Sequence, residues 1–289
     1  MKVALLGSTG MLGVKVAEVF RSRGHEIIAP SHSEVDLSRP YSLDKFFKTR
    51  EFDLLINAAG FTRVDACEES ARFYSAWNAN ATAAGWLAKL CKRTNRILVG
   101  FSTDYVFDGA KPSPYMEEDS PAPLNNYGRT KAQAEKLVLA ENHPFYLIRA
   151  SWFFGPGKEN FVSRIAELMR TRPRLEVVRD QQGGPTYTGD LAQFTLELLE
   201  KKAEPGFYHF CNEGFTSWYG FAQEIQRQMG LQSCTLVPVL SASIFRPAQR
   251  PANSRLDTSK AVRTLGHPIR PWTEALQEYI TKEYRNEPA

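Results

Sequence analysis

Short, mostly apolar runs alternate with amphipathic stretches along the first half of this 289-residue chain. Runs of strand length fall at residues 3–6, 26–29, 53–57, 97–101 and 145–150. The segments between them carry apolar residues at helical spacing or are rich in helix formers, as in residues 14–20, 71–93 and 129–141. Strands that alternate with helices predict an α/β fold with a doubly wound parallel sheet.

A glycine-rich turn joins the first predicted strand to the first predicted helix. Residues 7–13 read GSTGMLG. A strand, a glycine turn and a helix together aim a helix N-terminus at a phosphate, with glycines where the backbone approaches a pyrophosphate. The turn therefore predicts a Rossmann-type dinucleotide site, and the alternative is a tight strand-to-helix turn without a ligand.

The end of the second predicted strand bears on the choice of dinucleotide. Rossmann folds that prefer NAD usually carry a carboxylate there for the ribose 2′-hydroxyl. Here Pro30 and Ser31 follow the strand, and the first carboxylates come at Glu34 and Asp36. The sequence favours NADPH, with NADH as the alternative.

Tyr127 and Lys131 are the candidate catalytic pair. They stand four residues apart where a predicted helix begins, so we expect their side chains to share one face. A fixed positive charge stabilises a phenolate, so Lys131 is expected to lower the pKa of Tyr127 toward the range useful for acid–base catalysis. Tyr41 and Lys45 have the same spacing, and we interpret them as an ordinary solvated helix start.

Position along the predicted sheet distinguishes the first pair from the second. In parallel sheets, ligands bind at the carboxyl ends of the strands. The glycine turn, the small residues at 58–62 and the Ser-Thr pair at 102–103 all follow predicted strands. Because Tyr127 comes after the strand that ends at Ser-Thr, the convergence of these segments predicts one site that includes Tyr127.

The pattern is less regular in the second half of the chain. Helical segments near residues 160–170, 191–201 and 218–229 are separated by loops that contain Gly, Pro and Asn. We predict a dinucleotide-binding domain at residues 1–150 and a smaller C-terminal lobe, mainly residues 151–289, that binds substrate. The helix near residues 188–203 is expected to pack back onto the first domain.

A basic loop lies near the C-terminus. Residues 250–255 read RPANSR, without apolar periodicity. A planar Arg fork suits a diphosphate. From composition alone, ligand binding by Arg250 and Arg255 and a surface loop with charge pairs are about equally supported.

Composition narrows the class of protein further. The net charge of +4 is mild and not clustered, so nucleic acid is not expected as a partner. The four cysteines are dispersed, as expected of reduced thiols in a cytoplasmic protein. The N-terminal apolar run is too short for a signal peptide or a membrane span, so no membrane partner is expected.

These motifs together resemble the extended short-chain dehydrogenase/reductase superfamily, and within it the dTDP-4-dehydrorhamnose reductase family. Three segments carry the narrower similarity, and they read STDYVFDG at residues 102–109, DQQGGPT at 180–186 and RPANSRLDT at 250–258. The resemblance implies reduction of the 4-keto group of dTDP-4-dehydro-6-deoxy-L-hexose to dTDP-L-rhamnose, or of a close deoxysugar, with NADPH or NADH.

The resemblance also implies roles for individual residues. Tyr127 would donate a proton to the 4-keto oxygen, Lys131 would hold the nicotinamide ribose and tune Tyr127, and Thr103 would bind the reacting oxygen. Cofactor contacts would come from Gly7, Gly10, Met11, Leu12, Gly13, Ser31, Asp36, Leu37, Gly60, Phe61, Thr62, Asn80, Phe101, Tyr127 and Lys131. Substrate contacts would come from Val64, Asp65, Glu68, Thr103, Asp104, Tyr105, Trp152, Asn160, Arg250, Asn253 and Arg255.

Two positions depart from the family pattern. Pro30 stands where some members have an Asp, which weakens the case for NADH. Some members dimerise through a metal bound by glutamates, one of them in the first helix, where this chain has Val14 and Lys15. The sequence therefore argues against Mg²⁺ and a metal ligand set, and the expected assembly is a monomer or a homodimer.

Two other functions fit the same motifs. Chains of this group also serve as non-catalytic regulatory subunits that bind a dinucleotide while a partner performs the chemistry. An NDP-sugar epimerase or dehydratase would retain its NAD through the catalytic cycle. Oxidation of NADPH in the presence of a keto-sugar nucleotide separates the reductase from the first alternative, and co-purified NAD would favour the second.

Overall fold

The structure is a computed structural model that describes residues 1–284, apart from the side chains of Pro40 and Tyr41. Residues 285–289, which the sequence analysis assigns to the C-terminal lobe, lie outside the described residues. None of the helices within residues 1–284 combines the length and the apolar character needed to cross a bilayer.

Six parallel strands form the main sheet, in the order β10-β5-β4-β3-β1-β2. The chain contains twelve described strands: β1 Lys2–Leu6, β2 Glu26–Ile28, β3 Leu54–Asn57, β4 Ile97–Thr103, β5 Phe145–Ala150, β6 Phe153–Phe154, β7 Arg174–Val178, β8 Gln182–Gly183, β9 Thr186–Tyr187, β10 Gly206–Phe210, β11 Thr216–Ser217 and β12 Thr235–Val239.

Helices cover both faces of the main sheet. The described α-helices are α1 Met11–Ser22, α2 Pro40–Thr49, α3 Ser70–Trp77, α4 Ala83–Arg93, α5 Asn126–Ala140, α6 Phe161–Thr171, α7 Thr188–Glu200, α8 Trp218–Met229, α9 Ser259–Leu265 and α10 Trp272–Glu278. Successive side chains of a strand point to opposite faces. Accordingly, Val3 and Leu5 pack with α1 and α7, whereas Ala4 and Leu6 pack with α2 and α4. The predicted doubly wound α/β fold is confirmed.

A π-helical turn interrupts the helix that the sequence pattern predicts at residues 71–93. The turn spans Asn78–Thr82 and joins α3 to α4. Such turns inside α-helices often occur at functional sites. Here the turn directs the buried side chain of Asn80 toward the loop after β3, because that side chain bonds to the backbone of Phe61. The helix predicted at residues 71–93 is thus present as α3 and α4, with the π-helical turn between them.

A second hydrophobic core belongs to the C-terminal lobe. Its buried side chains come from α6, α8, α10 and short strands, and they include Phe154, Val162, Phe221 and Leu276. Three two-stranded sheets, β7/β12, β8/β11 and β6/β9, complete the lobe. The lobe therefore has its own apolar centre, as a separate folding layer requires.

The chain returns to the main sheet after it has entered the lobe. Strand β10 pairs in parallel with β5, and α7 packs with α1 in the first hydrophobic core. The sequence analysis does not identify β10 as a strand of the main sheet. The boundary at residue 150 stays a prediction, and Gly206–Phe210 belong to the main sheet.

A buried ion pair joins α5 to the centre of the sheet. Arg149 donates from Nε to Glu135 Oε1 at 2.9 Å and from Nη2 to Glu135 Oε2 at 2.8 Å. The two side chains are 3% and 4% exposed. Glu135 also accepts a 2.6 Å bond from the Ser102 hydroxyl at the end of β4. The pair therefore fixes α5 relative to β4 and β5.

His209 completes this network as a neutral side chain. Its Nδ1 lies 3.0 Å from the Tyr115 carbonyl oxygen, which can only accept, so Nδ1 carries the proton. Its Nε2 then accepts from Arg149 Nη1 at 3.2 Å. Burial, and next the charge of Arg149, lower the pKa of His209 to about 3. The network thus contains no second cation that competes with Arg149.

We predict that Arg149→Met lowers the free energy of unfolding by about 3–5 kcal/mol, because it leaves the Glu135 carboxylate buried without a partner. Urea unfolding followed by circular dichroism measures the change. The exposed pair of Arg164 and Glu167, which are 2.8 Å apart, supplies the control, and Arg164→Met should cost less than about 1 kcal/mol. Equal losses in the two variants would contradict the role of the buried pair.

Candidate active site

The glycine turn brings α1 into close contact with the ends of β1 and β3. Gly7 has a φ of 78°, a conformation that favours glycine. A Cβ on Gly13 would lie 2.0 Å from the Gly7 carbonyl oxygen, and a Cβ on Gly7 would lie 2.6 Å from the Ala59 nitrogen. Gly10 precedes α1 and offers no capping side chain. The first amide groups of α1 are therefore available to an anion.

A groove of about 670 Å³ opens beside this turn. The predicted cofactor residues that line it are Gly7, Ser31, Asp36, Leu37, Gly60 and Phe61. Gly10, Met11, Leu12 and Gly13 form the adjoining segment that begins α1, and Thr62 follows as an exposed residue. The Leu12 side chain is buried in the core, so it offers a ligand only its backbone. The groove lies at the carboxyl ends of β1, β2 and β3, where a Rossmann fold binds its dinucleotide.

A carboxylate lies at the end of β2 after all. Glu34 Oε2 accepts bonds of 2.9 Å from both the amide and the hydroxyl of Ser31. These bonds, led by the one from the Ser31 amide, lower the pKa of Glu34. Asp36 is engaged by the amide and hydroxyl of Ser38. Glu34 comes three residues after Ser31 in the sequence, and the fold of the loop places its carboxylate beside Ser31.

Asn80 braces the loop after β3 against α5. Its Oδ1 accepts from the Phe61 amide at 2.8 Å, and its Nδ2 donates to the Phe61 carbonyl at 3.0 Å and to Thr130 Oγ1 at 2.9 Å. All three bonds are internal. The structure therefore gives Asn80 a positioning role between the groove and α5, and its direct contact with a cofactor stays a prediction.

The start of α5, which carries Tyr127, is fixed by three contacts. Asn125 Oδ1 accepts from the Gly128 amide at 2.8 Å and caps the helix. Glu68 Oε1 accepts from the Asn126 amide at 2.8 Å. A Cβ on Gly128 would lie 2.1 Å from the Tyr105 carbonyl oxygen. Asn125 and Gly128 are absent from the sequence-based site. The Asn-x-x-Gly spacing at a helix start is the signal that could have identified them.

Lys131 donates from Nζ to the carbonyl oxygen of Phe101 at 2.5 Å. This contact unites two predicted site residues at the end of β4. Burial lowers the pKa of Lys131 to about 8, with an opposing contribution from Glu135. The lysine therefore carries its charge at neutral pH and loses it in mildly alkaline solution.

The expected decrease in the pKa of Tyr127 is wrong for this structure. Burial raises the pKa of Tyr127 well above its usual value, and the charge of Asp104 adds to the increase. The Thr103 hydroxyl acts in the other direction through a hydrogen bond. Desolvation of the phenolate exceeds the support from the Thr103 hydroxyl, so Tyr127 remains a protonated phenol throughout the physiological range.

Thr103 and Asp104 lie beside the Tyr127 hydroxyl. Thr103 Oγ1 donates to Asp104 Oδ1 at 2.9 Å. Asp104 Oδ2 is buried and has no hydrogen-bond partner among residues 1–284. Burial raises the pKa of Asp104 to about 6, against hydrogen bonds that include one with Ser254. A buried carboxylate oxygen without a partner is costly and can accept a bond from a ligand hydroxyl.

Arg250 and Asp65, both predicted substrate contacts, bind each other. Arg250 Nη1 and Nη2 lie 2.7 and 2.6 Å from the two Asp65 oxygens. The Arg250 side chain is 10% exposed and also bonds to Tyr105. The Tyr105 ring packs edge-on against the Tyr127 ring, with 6.2 Å between centroids. Val64 begins the short helix that presents Asp65. Arg250 and Asp65 therefore position Tyr105 beside Tyr127.

Asn253 and Arg255 also have partners within the chain. Asn253 Nδ2 donates to the carbonyl oxygens of Lys111 and Ser113 at 2.5 and 3.0 Å. Arg255 donates to Asn253 Oδ1 at 2.8 Å and to the Pro112 carbonyl. The loop is thus fastened to residues 111–113. Substrate binding by Arg250, Asn253 and Arg255 stays a prediction.

Trp152 stands directly after β5 in a conformation rare for a bulky residue, with a φ of 48°. Its ring stacks on Trp218 with centroids 3.6 Å apart and planes 9° apart. A Cβ on Gly183 would lie 2.6 Å from the Trp152 ring. Trp218 is a site residue that the sequence analysis misses. The pair forms an aromatic wall at the junction of the main sheet and the lobe.

Asn160 serves as a helix cap. Its Oδ1 accepts from the amides of Val162 and Ser163, and its Nδ2 donates to Gly155 and to the Tyr279 hydroxyl. Its amide group is therefore fully engaged at the start of α6. The structure shows a packing role for Asn160, and its contact with substrate stays a prediction.

In the first helix, where the chain departs from the family's metal ligands, Lys15 pairs with two carboxylates of the chain. Lys15 Nζ lies 2.7 Å from both Glu18 and Glu283 carboxylate oxygens, and Lys15 is buried. Within residues 1–284 there is no group of three or more His, Cys, Asp or Glu side chains that could hold a metal ion.

The second Tyr-x-x-x-Lys pair occupies a different place. Tyr41 and Lys45 belong to α2, whose buried apolar side chains pack in the same hydrophobic core as Ala4 and Leu6. The Tyr41 side chain lies outside the described residues, so the structure says nothing of its contacts. Lys131 bonds to the Phe101 carbonyl, and Tyr127 has a hydrogen bond with Thr103.

The parallel sheet, the glycine turn and the Tyr127/Lys131 pair at the end of β4 define an extended short-chain dehydrogenase/reductase. The family model described as RmlD substrate binding domain matches residues 1–285. The chain belongs to this family, whose members among its relatives include several oxidoreductases named dTDP-4-dehydrorhamnose reductase.

Three comparisons illustrate the similarity. The chain is 36% identical over 279 residues to the Spore coat polysaccharide biosynthesis protein SpsK of Bacillus subtilis, with 96% of each chain covered. It is 35% identical to dTDP-4-dehydrorhamnose reductase of Aggregatibacter actinomycetemcomitans, with 96% and 97% covered. The solved dTDP-4-dehydrorhamnose reductase of Bacillus anthracis in complex with NADP has a TM-score of 0.90, at 29% identity and 96% and 98% coverage.

We predict that reductase activity falls as the pH rises through about 8. The pKa of Lys131 lies below its usual value, so Lys131 is charged below this pH and neutral above it. If Tyr127 is the proton donor, loss of the ammonium would remove the charge expected to support the phenolate that remains. The pH profile of kcat/KM measures the decline. Lys131→Arg keeps its charge, so its remaining activity should be flat to pH 10; a wild-type plateau to pH 10 would contradict the assignment.

Proposed function

We propose that the protein reduces the 4-keto group of dTDP-4-dehydro-6-deoxy-L-hexose to dTDP-L-rhamnose, or of a close deoxysugar, with NADPH in the cytoplasm. The observation that carries this proposal is the protonated Tyr127 beside Thr103 and the unpartnered Asp104 Oδ2. A proton donor next to a free hydrogen-bond acceptor suits a sugar in which the carbon beside the carbonyl carries a hydroxyl group. Relatives named dTDP-4-dehydrorhamnose reductase support the substrate class.

The residues of the groove fit a dinucleotide. The glycine turn leaves no room for a Cβ at residues 7 and 13, and the start of α1 carries no acidic residue in its first turn. Both features suit a pyrophosphate. When bound, NADPH would supply the hydride. Gly10, Met11 and Leu12 would hold the pyrophosphate through their backbone, and Ser31 would face the adenosine ribose.

In the proposed reaction Tyr127 gives its proton to the 4-keto oxygen as the carbonyl carbon receives the hydride. The Thr103 hydroxyl, which donates to Asp104 Oδ1 in the structure, would turn its proton toward the same keto oxygen when the substrate binds. Lys131 stabilises the phenolate that remains on Tyr127. A positioned acid with electrostatic support of this kind lowers the barrier only if its geometry is fixed, and the capped start of α5 provides that rigidity.

The lobe would bind the sugar nucleotide. We assign residues 1–150 to the cofactor and mainly residues 151–289 to the substrate, with the Trp152–Trp218 wall against the sugar ring. Trp152 is half-buried, so one edge remains available to a ligand. Asp104 and Tyr105 would contact the sugar from the side of the main sheet. No feature of the described site specifically favours a regulatory subunit or an NDP-sugar epimerase or dehydratase.

Tyr127→Phe should remove the proton donor and lower kcat by about 10²–10⁴-fold, the usual contribution of a positioned acid. The measurement is NADPH oxidation at 340 nm with the keto-sugar nucleotide. NADPH affinity and the free energy of unfolding should stay near wild type. Tyr41→Phe has the same chemistry in the same sequence pattern and should change little. Turnover of Tyr127→Phe within a few-fold of wild type would exclude the assigned role.

Glu34→Gln should raise the preference for NADPH over NADH. The Glu34 carboxylate bonds to Ser31, where a 2′-phosphate would lie, so its removal should improve kcat/KM for NADPH by roughly three- to tenfold through loss of like-charge repulsion. The value for NADH should not rise. Glu51→Gln removes an exposed carboxylate before β3, at the opposite edge of the sheet, and serves as the control. An unchanged cofactor ratio would show that Glu34 does not face the ribose.

A further inference from the structure

The loop after β12 is held at both ends and free in its middle. At its start, the Ser241 amide and hydroxyl bond to the two oxygens of Asp180 at 2.8 and 2.9 Å. At its end, the Ala248 amide donates to Asp65 Oδ1 at 3.1 Å, and the Gln249 carbonyl accepts from Asn125 at 2.7 Å. These anchors restrict the segment between them, residues 244–247, to a location beside the start of α5, although no hydrogen bond from the Phe245 or Arg246 side chain to another described residue holds it there.

Two side chains in this segment face solvent without partners. Phe245 is 92% exposed, the largest exposure among the large hydrophobic side chains of residues 1–284. Arg246 is exposed, and its guanidinium makes no hydrogen bond or ion pair within 4 Å among the described residues. An aromatic ring and an arginine left open side by side are the features of a binding surface.

Arg246 lies close to the active site. Burial, and next the charge of Arg250, lower the pKa of Arg246, whereas Tyr105 and Asp65 act in the other direction, and Arg246 stays protonated. Tyr105 in turn packs against Tyr127. Because Ala248 and Gln249, which follow closely, bond to Asp65 and Asn125, the Phe245–Arg246 segment lies on the side of the site that Tyr105 and Asp65 form.

The charges near this segment leave one cation uncompensated. Asp65 is neutralised by the bidentate bonds of Arg250, and Arg255 is engaged by Asn253 and by the Pro112 carbonyl. Among the three arginines of residues 246–255, Arg250 and Arg255 thus have hydrogen-bond acceptors within the described chain, whereas the N–H donors of Arg246 have none. A free planar fork binds two oxygens of a diphosphate at once, which Arg250 can do only after it releases Asp65.

We propose that Phe245 and Arg246 together bind the nucleoside diphosphate portion of the substrate. Arg246 holds the diphosphate, and Phe245 stacks on the base. Arg250 keeps Asp65 and Tyr105 in position. The proposal rests on the proposed function for its substrate class, because a nucleoside diphosphate linked to the keto sugar would extend from Tyr127 past Tyr105 to this loop.

Calorimetric titration of dTDP into the apo protein tests the proposal without any turnover. Arg246→Ala should weaken dTDP binding by roughly 10- to 150-fold, the value of a charge-assisted hydrogen bond. Phe245→Ala should weaken it by roughly 5- to 150-fold, the value of base stacking. Arg246→Lys should recover part of the loss, because an ammonium cannot bond two oxygens as a fork.

Salt separates the two roles from a general structural effect. The Arg246→Ala loss should shrink as ionic strength rises from 0.05 to about 0.5 M, since charge attraction is screened, whereas the Phe245→Ala loss should persist. The control is Arg93→Ala at the end of α4, whose exposed partner Asp44 is 3.8 Å away; it should bind dTDP as wild type does. NADPH affinity should be unchanged in every variant.

Three outcomes would overturn the proposal: no dTDP binding by the wild-type protein, wild-type affinity in both Arg246→Ala and Phe245→Ala, or an equal loss in Arg93→Ala. The steady-state assay distinguishes this failure from that of the proposed function. If wild type reduces the keto sugar and Arg246→Ala leaves KM unaltered, Arg246 does not bind the diphosphate, and the proposed reductase function is still supported. If Arg246 and Phe245 support dTDP binding but no keto sugar is reduced, the proposed binding of the nucleoside diphosphate is supported and the protein catalyses a different reaction.

Discussion

The close approach of α5 to β4 is the constraint on which the site depends. Gly128 makes the approach possible, because any side chain there would meet the Tyr105 carbonyl. Lys131 bonds to Phe101 in the next turn, and Glu135 holds Ser102 one turn later. Residues spaced three or four apart share a helix face, so one face of α5 makes all these contacts. The position of Tyr127 therefore follows from packing that begins deep in the sheet.

The same helix start also connects the lobe to the main domain. Asn125 caps α5 with its oxygen and holds the Gln249 carbonyl with its nitrogen. Arg250 bonds to Asp65, and Ser254 bonds to Asp104. Polar bonds of buried groups are costly to break, so they specify one arrangement of the loop at residues 248–255. We therefore expect a substitution in that loop to shift the position of Tyr127 indirectly, through Asn125 and Tyr105.

Sequence patterns identify the sheet well because buried parallel strands appear as apolar runs, and β5 begins and ends where the pattern predicts, at Phe145–Ala150. Patterns fail where long-range contacts decide. Asn80 bonds to Thr130, 50 residues away, and Arg250 pairs with Asp65, 185 residues away. No local periodicity encodes such pairs. The sequence pattern likewise does not predict the bonds between Glu34 and Ser31, because they depend on the conformation of a loop and not on strand spacing.

Burial shifts the pKa values of Tyr127 and Lys131 in opposite directions, and this suits the proposed reduction. Removal from water penalises whichever form is charged: the pKa of Tyr127 rises, and that of Lys131 falls to about 8. Tyr127 is therefore stored as the acid that a carbonyl needs, while Lys131 still carries its proton at neutral pH. In the proposed reaction, a phenolate on Tyr127 would depend on support from the Lys131 ammonium and the Thr103 hydroxyl. The charge of Asp104 raises the pKa of Tyr127 and so opposes that support, and a substrate hydroxyl that donates to the unpartnered Asp104 Oδ2 would weaken this opposition.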